Sequence, residues 1–281
     1  MRILLLGAKG QLGRDLSLAL ATGHAVAAHD VDTIDIADEA ALAKLADSVN
    51  PELVINAAAH TNVEKAEEEP EAAFRVNETG AGIVAAMAAR HNAPVVLFST
   101  DYVFGGNKRT PYEPDDPVAP IGVYARSKEA GERATRAANP RHYILRTAWL
   151  YGPGGNHFVE KILHAAQTRP SLKVVDDEIG SPSHTEDLAQ ATVALMTTGA
   201  FGTYHAVNAG ACSRYEFALE ILRQAGLSTP VAPCASSEFP TKAERPLYSV
   251  LSNAKLEAAT GMPMRPWQAA LERYFRRRKS S

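Results

Sequence analysis

MRILLLGAKGQLGRDLSLAL, residues 1–20, runs from a short apolar stretch into three glycines at three-residue spacing, Gly7, Gly10 and Gly13, and then into a helical pattern. A buried strand, a glycine turn and a helix in that order read as a dinucleotide-binding turn. Glycine permits the tight turn, close approach of backbone to a pyrophosphate, and packing of helix on strand. The helix N-terminus adds free N–H groups and partial positive charge. Gly7, Gly10, Gln11, Leu12 and Gly13 are therefore the first candidate cofactor-binding residues. The opening apolar run is too short for a signal peptide and is broken by GAKG.

Outward from this turn, short apolar runs alternate with longer helical patterns. Strands are expected at 3–6, 25–28, 53–56, 95–99, 143–146 and 203–207, and helices at 11–21, 39–49, 72–91 and 124–137. That rhythm predicts an α/β fold, a Rossmann-type doubly wound parallel sheet covered on both faces. Past Trp149 the helices are separated by Pro and Gly clusters such as GPGGN (152–156) and GSPS (180–183), which predicts a smaller, loop-rich C-terminal lobe. The expected division is a dinucleotide-binding domain over 1–150, with 185–210 returning to it, and a substrate-binding lobe from 151–184 and 211–281. Ser213 and Glu216 form a capping-box pattern opening a helix to about 224, and a final amphipathic helix is expected over 266–276. The stretch 228–250 reads as mostly irregular, a substrate lid or wall.

A chain of 281 residues with 46 % hydrophobic content buries a substantial core, and a formal charge of −3 offers no basic excess for a nucleic-acid polymer. The dense basic run at 276–279 reads as a solvated end of the last helix. Cys212 and Cys234 are the two cysteines, with no CxxC and no ligand-spaced cluster, which argues against a disulfide scaffold and structural zinc. No apolar run approaches membrane-spanning length. A cytoplasmic protein without a membrane partner is expected.

Asp30 ends the second strand about twenty residues beyond the glycines, where a carboxylate accepts hydrogen bonds from the adenosine ribose. Its alternative is an acidic loop residue beside Asp32. Asp35 and Ile36 are candidates for the adenine side. Ala57, Ala58 and Ala59 end the third strand in small residues that let backbone line a cofactor, or simply pack a strand end. After the fourth strand comes STDYVF (99–104), and then Tyr124 and Lys128 stand four apart at a helix start, on one face. Carbonyl reduction needs a hydride on carbon and a proton on oxygen. Tyr124 is the candidate proton donor, and Lys128 is expected to lower its pKa and hold the nicotinamide ribose. The Thr100 hydroxyl would stabilise charge developing on the substrate oxygen.

With these residues in hand, nearly every segment resembles the dTDP-4-dehydrorhamnose reductase family of the extended short-chain dehydrogenases. The stretches that carry the likeness are GAKGQLG, NAAAHTNVEKAE (56–67), STDYVFGG (99–106), YARSK (124–128), RTAWLYG (146–152), GSPS and ERPLYSVLSNAKL (244–256). The resemblance implies NADPH or NADH as cofactor, a nucleotide-sugar substrate reduced at its C4 keto group, and a place in cell-surface polysaccharide synthesis such as O-antigen. It implies that Thr100, Tyr124 and Lys128 are catalytic and that Asp101 and Trp149 hold the sugar nucleotide. Trp149 also has its own rationale, since an indole packs on a sugar face, with core packing as the alternative. Arg245 is the candidate for the diphosphate, because a guanidinium fork matches phosphate oxygens; otherwise it is a surface arginine.

Ser183 stands where the family more often has Thr. Some relatives hold magnesium among acidic residues at a homodimer contact; Asp15 and Glu186 match two such positions, no third carboxylate is evident, and ordinary surface acids are the simpler reading. Two competing functions share the turn and the Tyr–Lys pair. One is another sugar-nucleotide reductase or an epimerase, for which further acid–base groups are not identified. The other is a cofactor-binding regulatory subunit without turnover, against which the intact Thr100, Tyr124 and Lys128 argue.

Overall fold

A computed structural model describes residues 1–278 of the chain. Among these, β1 (Arg2–Leu6), β2 (Ala25–His29), β3 (Leu53–Asn56), β4 (Val95–Thr100) and β5 (His142–Thr147) pair in parallel. Four short strands follow outside that sheet: β6 (Leu150–Tyr151), β7 (Leu172–Val175), β8 (Ile179–Gly180) and β9 (Ser183–His184). Then β10 (Gly202–His205) returns to its edge beside β5, giving the order β10-β5-β4-β3-β1-β2. The order reverses around β1, which has β2 on one side and β3 on the other. In open α/β sheets that reversal opens a crevice beyond the strands' carboxyl ends.

Alternation along β1 separates the two layers. Ile3 and Leu5 face Leu16 and Leu20 of α1 (Gln11–Leu20) and Leu188 and Leu195, while Leu4 and Leu6 face the other layer with Leu42, Val84 and Met87. That second layer contains α2 (Glu39–Val49) and the helical segment after β3, which is less regular than its periodicity predicts. After α3 (Val63–Glu68), the expected continuous helix over 72–91 is α4 (Pro70–Phe74), a π-helical turn at Arg75–Gly80, and α5 (Ala81–Arg90). The wider turn brings the Asn77 carbonyl against α6 (Val123–Ala138) at Gly131, where a Cβ would lie only 1.9 Å from that oxygen. The buried Asn77 side chain donates to the His60 carbonyl (3.0 Å) and to Ser127 Oγ (2.9 Å), tying the loop after β3 to the helix that carries Tyr124 and Lys128.

The C-terminal half packs α7 (Phe158–Thr168) with the later helices around Ile162, Phe217, Ile221, Trp267 and Leu271. Between α7 and those helices, α8 (Thr185–Met196) lies on the main sheet with α1. β11 (Cys212–Ser213) pairs with β8 and leads into α9 (Arg214–Ala225), closed by the expected capping box: Glu216 N–H donates to Ser213 Oγ at 3.0 Å and Ser213 N–H to Glu216 Oε2 at 2.8 Å. The stretch 228–250 is not wholly irregular. It contains β12 (Val231–Cys234), paired with β7, and a single turn at Ser236–Glu238 before an irregular strap. α10 (Ala254–Thr260) and α11 (Trp267–Arg278) end the described chain.

The basic tail is a correction. Within α11, Arg277 donates to Asp15 (3.0 Å) and Glu186 (3.1 Å), Arg273 to Glu186 (2.9 Å) and Arg278 to Glu160 (2.7 Å), so these arginines clamp the helix onto α1, α8 and α7; Lys279 lies outside the described residues. Asp15 is likewise no surface acid. It is buried, and also accepts a hydrogen bond from Thr185 Oγ1 at 2.5 Å. Asp15 and Glu186 thus share a guanidinium, and among the described residues no group of three or more His, Cys, Asp or Glu is disposed to hold a metal ion.

Candidate active site

A cleft of about 610 Å³ opens at the carboxyl ends of the central strands, and the glycine turn forms one wall. Gly7 has φ of +81°, and a Cβ there would come within 2.5 Å of the Ala58 nitrogen. At Gly13 a Cβ would lie 2.0 Å from the Gly7 carbonyl oxygen. Gly10 is the N-cap of α1 and supplies no capping side chain, so the first N–H groups of α1 meet the cleft without a side-chain acceptor. Ala57, Ala58 and Ala59 continue the wall. Polar atoms there also want a ligand: Gln11 Oε1, Asn56 Nδ2, Ser99 Oγ and Thr147 Oγ1 are buried without a protein partner. A dinucleotide suits this wall. Gly13→Ala is expected to weaken cofactor binding at least tenfold, read by titrating reduced cofactor fluorescence, because the added methyl must force α1 off β1. Unchanged affinity would show that the turn does not set the cofactor's seat.

The remaining cofactor candidates stand elsewhere. Asp30 accepts from Lys9 N–H (2.7 Å) and Val31 N–H (2.8 Å), which fixes its carboxylate against the glycine turn. Asp35 pairs with Arg75 and accepts from Ala37 N–H, so its carboxyl is held below the usual range, chiefly by the arginine. Ile36 is buried against Gly80. None of the three lines the cleft, whereas Lys9, which the sequence reading passed over, does, with its ammonium on Asp32.

Thr100 at the end of β4, Asp101 in the turn Asp101–Val103, and Tyr124 and Lys128 in the first turns of α6 meet on the opposite wall. The Lys128 ammonium donates to the Phe98 carbonyl at 2.6 Å, and burial pushes its pKa down to about 8 against the pull of Glu132. Burial raises the Tyr124 phenol above its ordinary value, opposed by the neighbouring Thr100 hydroxyl. This overturns the expected lowering of Tyr124 by Lys128: desolvation dominates. The phenol therefore stays protonated near neutrality, the form that can donate to a carbonyl oxygen. Beneath this wall lies a buried pair that sequence reasoning missed, Glu132 with Arg146, which takes both carboxylate oxygens at 2.8 and 2.7 Å.

Trp149 also lines the cleft, at φ of +46°, a left-handed backbone costly for a bulky side chain. The Arg214 guanidinium lies 3.5 Å from its ring centroid, and Gly180 packs so closely that a Cβ would fall 2.6 Å from Cε2. One face of the ring is thus taken by an arginine. Arg245 lies in an adjoining cavity of about 360 Å³ with Lys161, Lys173, Arg214 and the single acid Glu178, flanked by Phe158 and Phe239. Phe158, Lys161 and Arg214 line both spaces. Arg245 is no free surface arginine. It donates to Glu64 of α3 at 2.6 Å, and its Nε is buried without a partner.

A family described as RmlD substrate binding domain matches residues 1–280. The chain is 40 % identical over its full length to a spore coat polysaccharide biosynthesis protein, SpsK, of Bacillus subtilis, covering 99 % of that protein. It is 42 % identical to the dTDP-4-dehydrorhamnose reductase of Mycolicibacterium smegmatis, over 96 % of this chain and 84 % of that one. A solved structure of dTDP-4-dehydrorhamnose reductase from Bacillus anthracis in complex with NADP superposes with a TM-score of 0.96 at 35 % identity, covering 98 % of this chain and 99 % of the other.

Proposed function

The chain belongs to the RmlD substrate binding domain family, and on that premise we propose that it is an NAD(P)H-dependent reductase of the C4 keto group of dTDP-4-dehydro-L-rhamnose, giving dTDP-L-rhamnose. The observation that carries this reading is the meeting of Thr100, Tyr124 and Lys128 on one wall of the cleft, opposite the glycine turn, with the phenol held protonated by its burial. When bound, the reduced nicotinamide supplies the hydride. Gly10 to Gly13 and Ala57 to Ala59 would line its pyrophosphate, and Lys128 would hold its ribose. Tyr124 gives a proton to the substrate oxygen, while the Thr100 hydroxyl donates to that oxygen as charge develops. The cofactor is NADPH or NADH, and Asp30 braces the turn that would hold it through the Lys9 N–H.

The sugar nucleotide extends from the cleft into the smaller cavity. Lys161, Lys173, Arg214 and Arg245 surround the diphosphate, and Phe158 and Phe239 flank the base. Asp101 and the Trp149–Arg214 stack border the sugar. Residues 1–150 with 185–210 form the dinucleotide half and the remainder the substrate lobe. Two buried cysteines without a disulfide fit a cytosolic setting.

The test is loss of reduced-nicotinamide absorbance with purified protein, each cofactor in turn, and dTDP-4-dehydro-L-rhamnose. One cofactor oxidised per sugar is expected. Binding of cofactor with no oxidation would sink the reductase reading. In the same assay Arg245→Met should raise KM roughly 10- to 100-fold at nearly constant kcat, the size of a lost charged hydrogen bond made alike to substrate and transition state. An unchanged KM would place the diphosphate elsewhere.

A further inference from the structure

α6 carries Tyr124 in its first turn, yet its own N-cap supplies no acceptor. Gly122 stands at that position, so the leading N–H groups of the helix must find partners elsewhere. One partner comes from another element: Glu67 of α3, 56 positions earlier, accepts from Val123 N–H at 2.7 Å through Oε1. Glycine at 122 is what admits it. Gly122 is buried, and a Cβ there would stand 3.0 Å from the same Oε1 and 3.6 Å from the Glu244 carbonyl oxygen of the strap. A serine, threonine or aspartate cap would compete with that carboxylate for space. Negative charge at this end also suits the helix dipole.

α3 is in turn fixed from the C-terminal half. Glu64, one turn before Glu67, accepts from Lys242 N–H at 2.8 Å and from Arg245 Nη2 at 2.6 Å, and Glu68 pairs with Lys242. Val63 at the start of α3 borders the smaller cavity. The next turn of α6 has a separate anchor: Asn77 Nδ2 donates to Ser127 Oγ at 2.9 Å, and Ser127 Oγ donates to the Tyr124 carbonyl at 2.8 Å. Loss of Glu67 should therefore loosen the leading end of α6 and leave the rest of the helix in place. We propose that Glu67 is a positioning residue for the reaction: by capping α6 from α3, it sets where the Tyr124 phenol stands and refers that place to the strap that carries Arg245. Its effect on turnover rests on the reductase reading. Misplacing a reacting group by about 1 Å can cost roughly 10²-fold in rate, so a loosened first turn is enough to be seen.

Glu67→Ala should lower kcat about tenfold while KM changes less than about threefold, because the substrate's own contacts are untouched. Glu67→Gln keeps an oxygen acceptor and should retain kcat within about threefold of wild type. The decisive pair is at Gly122. In the wild-type background Gly122→Ser crowds the Glu67 carboxylate and should lower kcat; in Glu67→Ala the same serine caps α6 from its own chain position and should restore it. A purely structural role would not reverse that sign. Without substrate, amide exchange read by mass spectrometry over residues 121–126 should quicken in Glu67→Ala and return to the wild-type rate in the double variant. Unchanged kcat in Glu67→Ala, a Gln variant as slow as the Ala variant, a loss confined to KM, or no rescue by Gly122→Ser would each overturn the positioning role while leaving the reductase standing. A wild-type protein that oxidises no cofactor would overturn the reductase reading and the role in turnover together, and the exchange measurement would then report the cap alone.

Discussion

Tyr124→Phe should lower kcat by about 10²- to 10⁴-fold, the usual contribution of a positioned general acid, which corresponds to roughly 2.7–5.4 kcal/mol of transition-state stabilisation. The fold should survive. The ring sits edge-on to Tyr102, with centroids 6.2 Å apart and planes at 84°, and phenylalanine keeps that packing while losing only the hydroxyl. The substitution is therefore a chemical test, checked by steady-state kinetics together with thermal melting. KM should change little, because the phenol's proton matters most when the substrate oxygen carries developing charge. A variant with kcat within a few-fold of wild type would remove Tyr124 as proton donor and leave Thr100 as the remaining hydroxyl at that oxygen.

How far the sequence led can be judged from particular residues. Gly7 and Gly13 were readable because the constraint on each is local: the turn forbids a Cβ, and only glycine lacks one. Tyr124 and Lys128 share a helix face by spacing alone, and β1, β3 and β4 announce themselves as continuous apolar runs buried on both sides. What escaped the reading depends on partners far away in the chain. Arg277 looked like solvated charge because Asp15 lies 262 residues away. Arg245 read as a diphosphate ligand or else a surface arginine, and its ion pair with Glu64 stayed hidden because that residue is 181 positions away. Arg214, more than sixty positions on, covers one face of Trp149, a contact no spacing announces. The lowering of the Tyr124 pKa failed for another reason: burial is a property of the assembled cleft and carries no signature in YARSK. The π-turn was hidden because helical periodicity over 72–91 does not reveal one extra residue in a single turn.

Arg146→Met should cost about 3–5 kcal/mol of stability, since removing one partner of a buried pair strands the other charge. Arg146 is 2 % exposed and Glu132 is fully buried, so solvent cannot take the arginine's place. The guanidinium also donates to the Pro114 carbonyl at 3.0 Å and lies over the Phe104 ring. In the wild type, Arg146 holds the Glu132 carboxyl below its usual 4.5 against burial, which raises it. The resulting stabilisation is present above the unfolded value and is lost as pH falls through the folded one. Without Arg146, burial is left mainly to Arg136 to oppose, the carboxyl rises above its unfolded value, and the sign reverses. The variant should then lose stability as pH rises through the unfolded value toward the raised folded one. Denaturant unfolding should accordingly find the deficit larger near neutral pH than in mild acid. Arg146→Met combined with Glu132→Leu should recover most of it, because an apolar pair of similar volume needs no partner. A single-variant deficit under about 1 kcal/mol that ignores pH would mean that Arg136 alone neutralises Glu132. The pair joins β5 to α6 one turn beyond Lys128. Its loss should therefore also lower kcat in the fraction that remains folded, which is how a pair remote from the substrate fixes the angle at which Tyr124 and Lys128 enter the cleft.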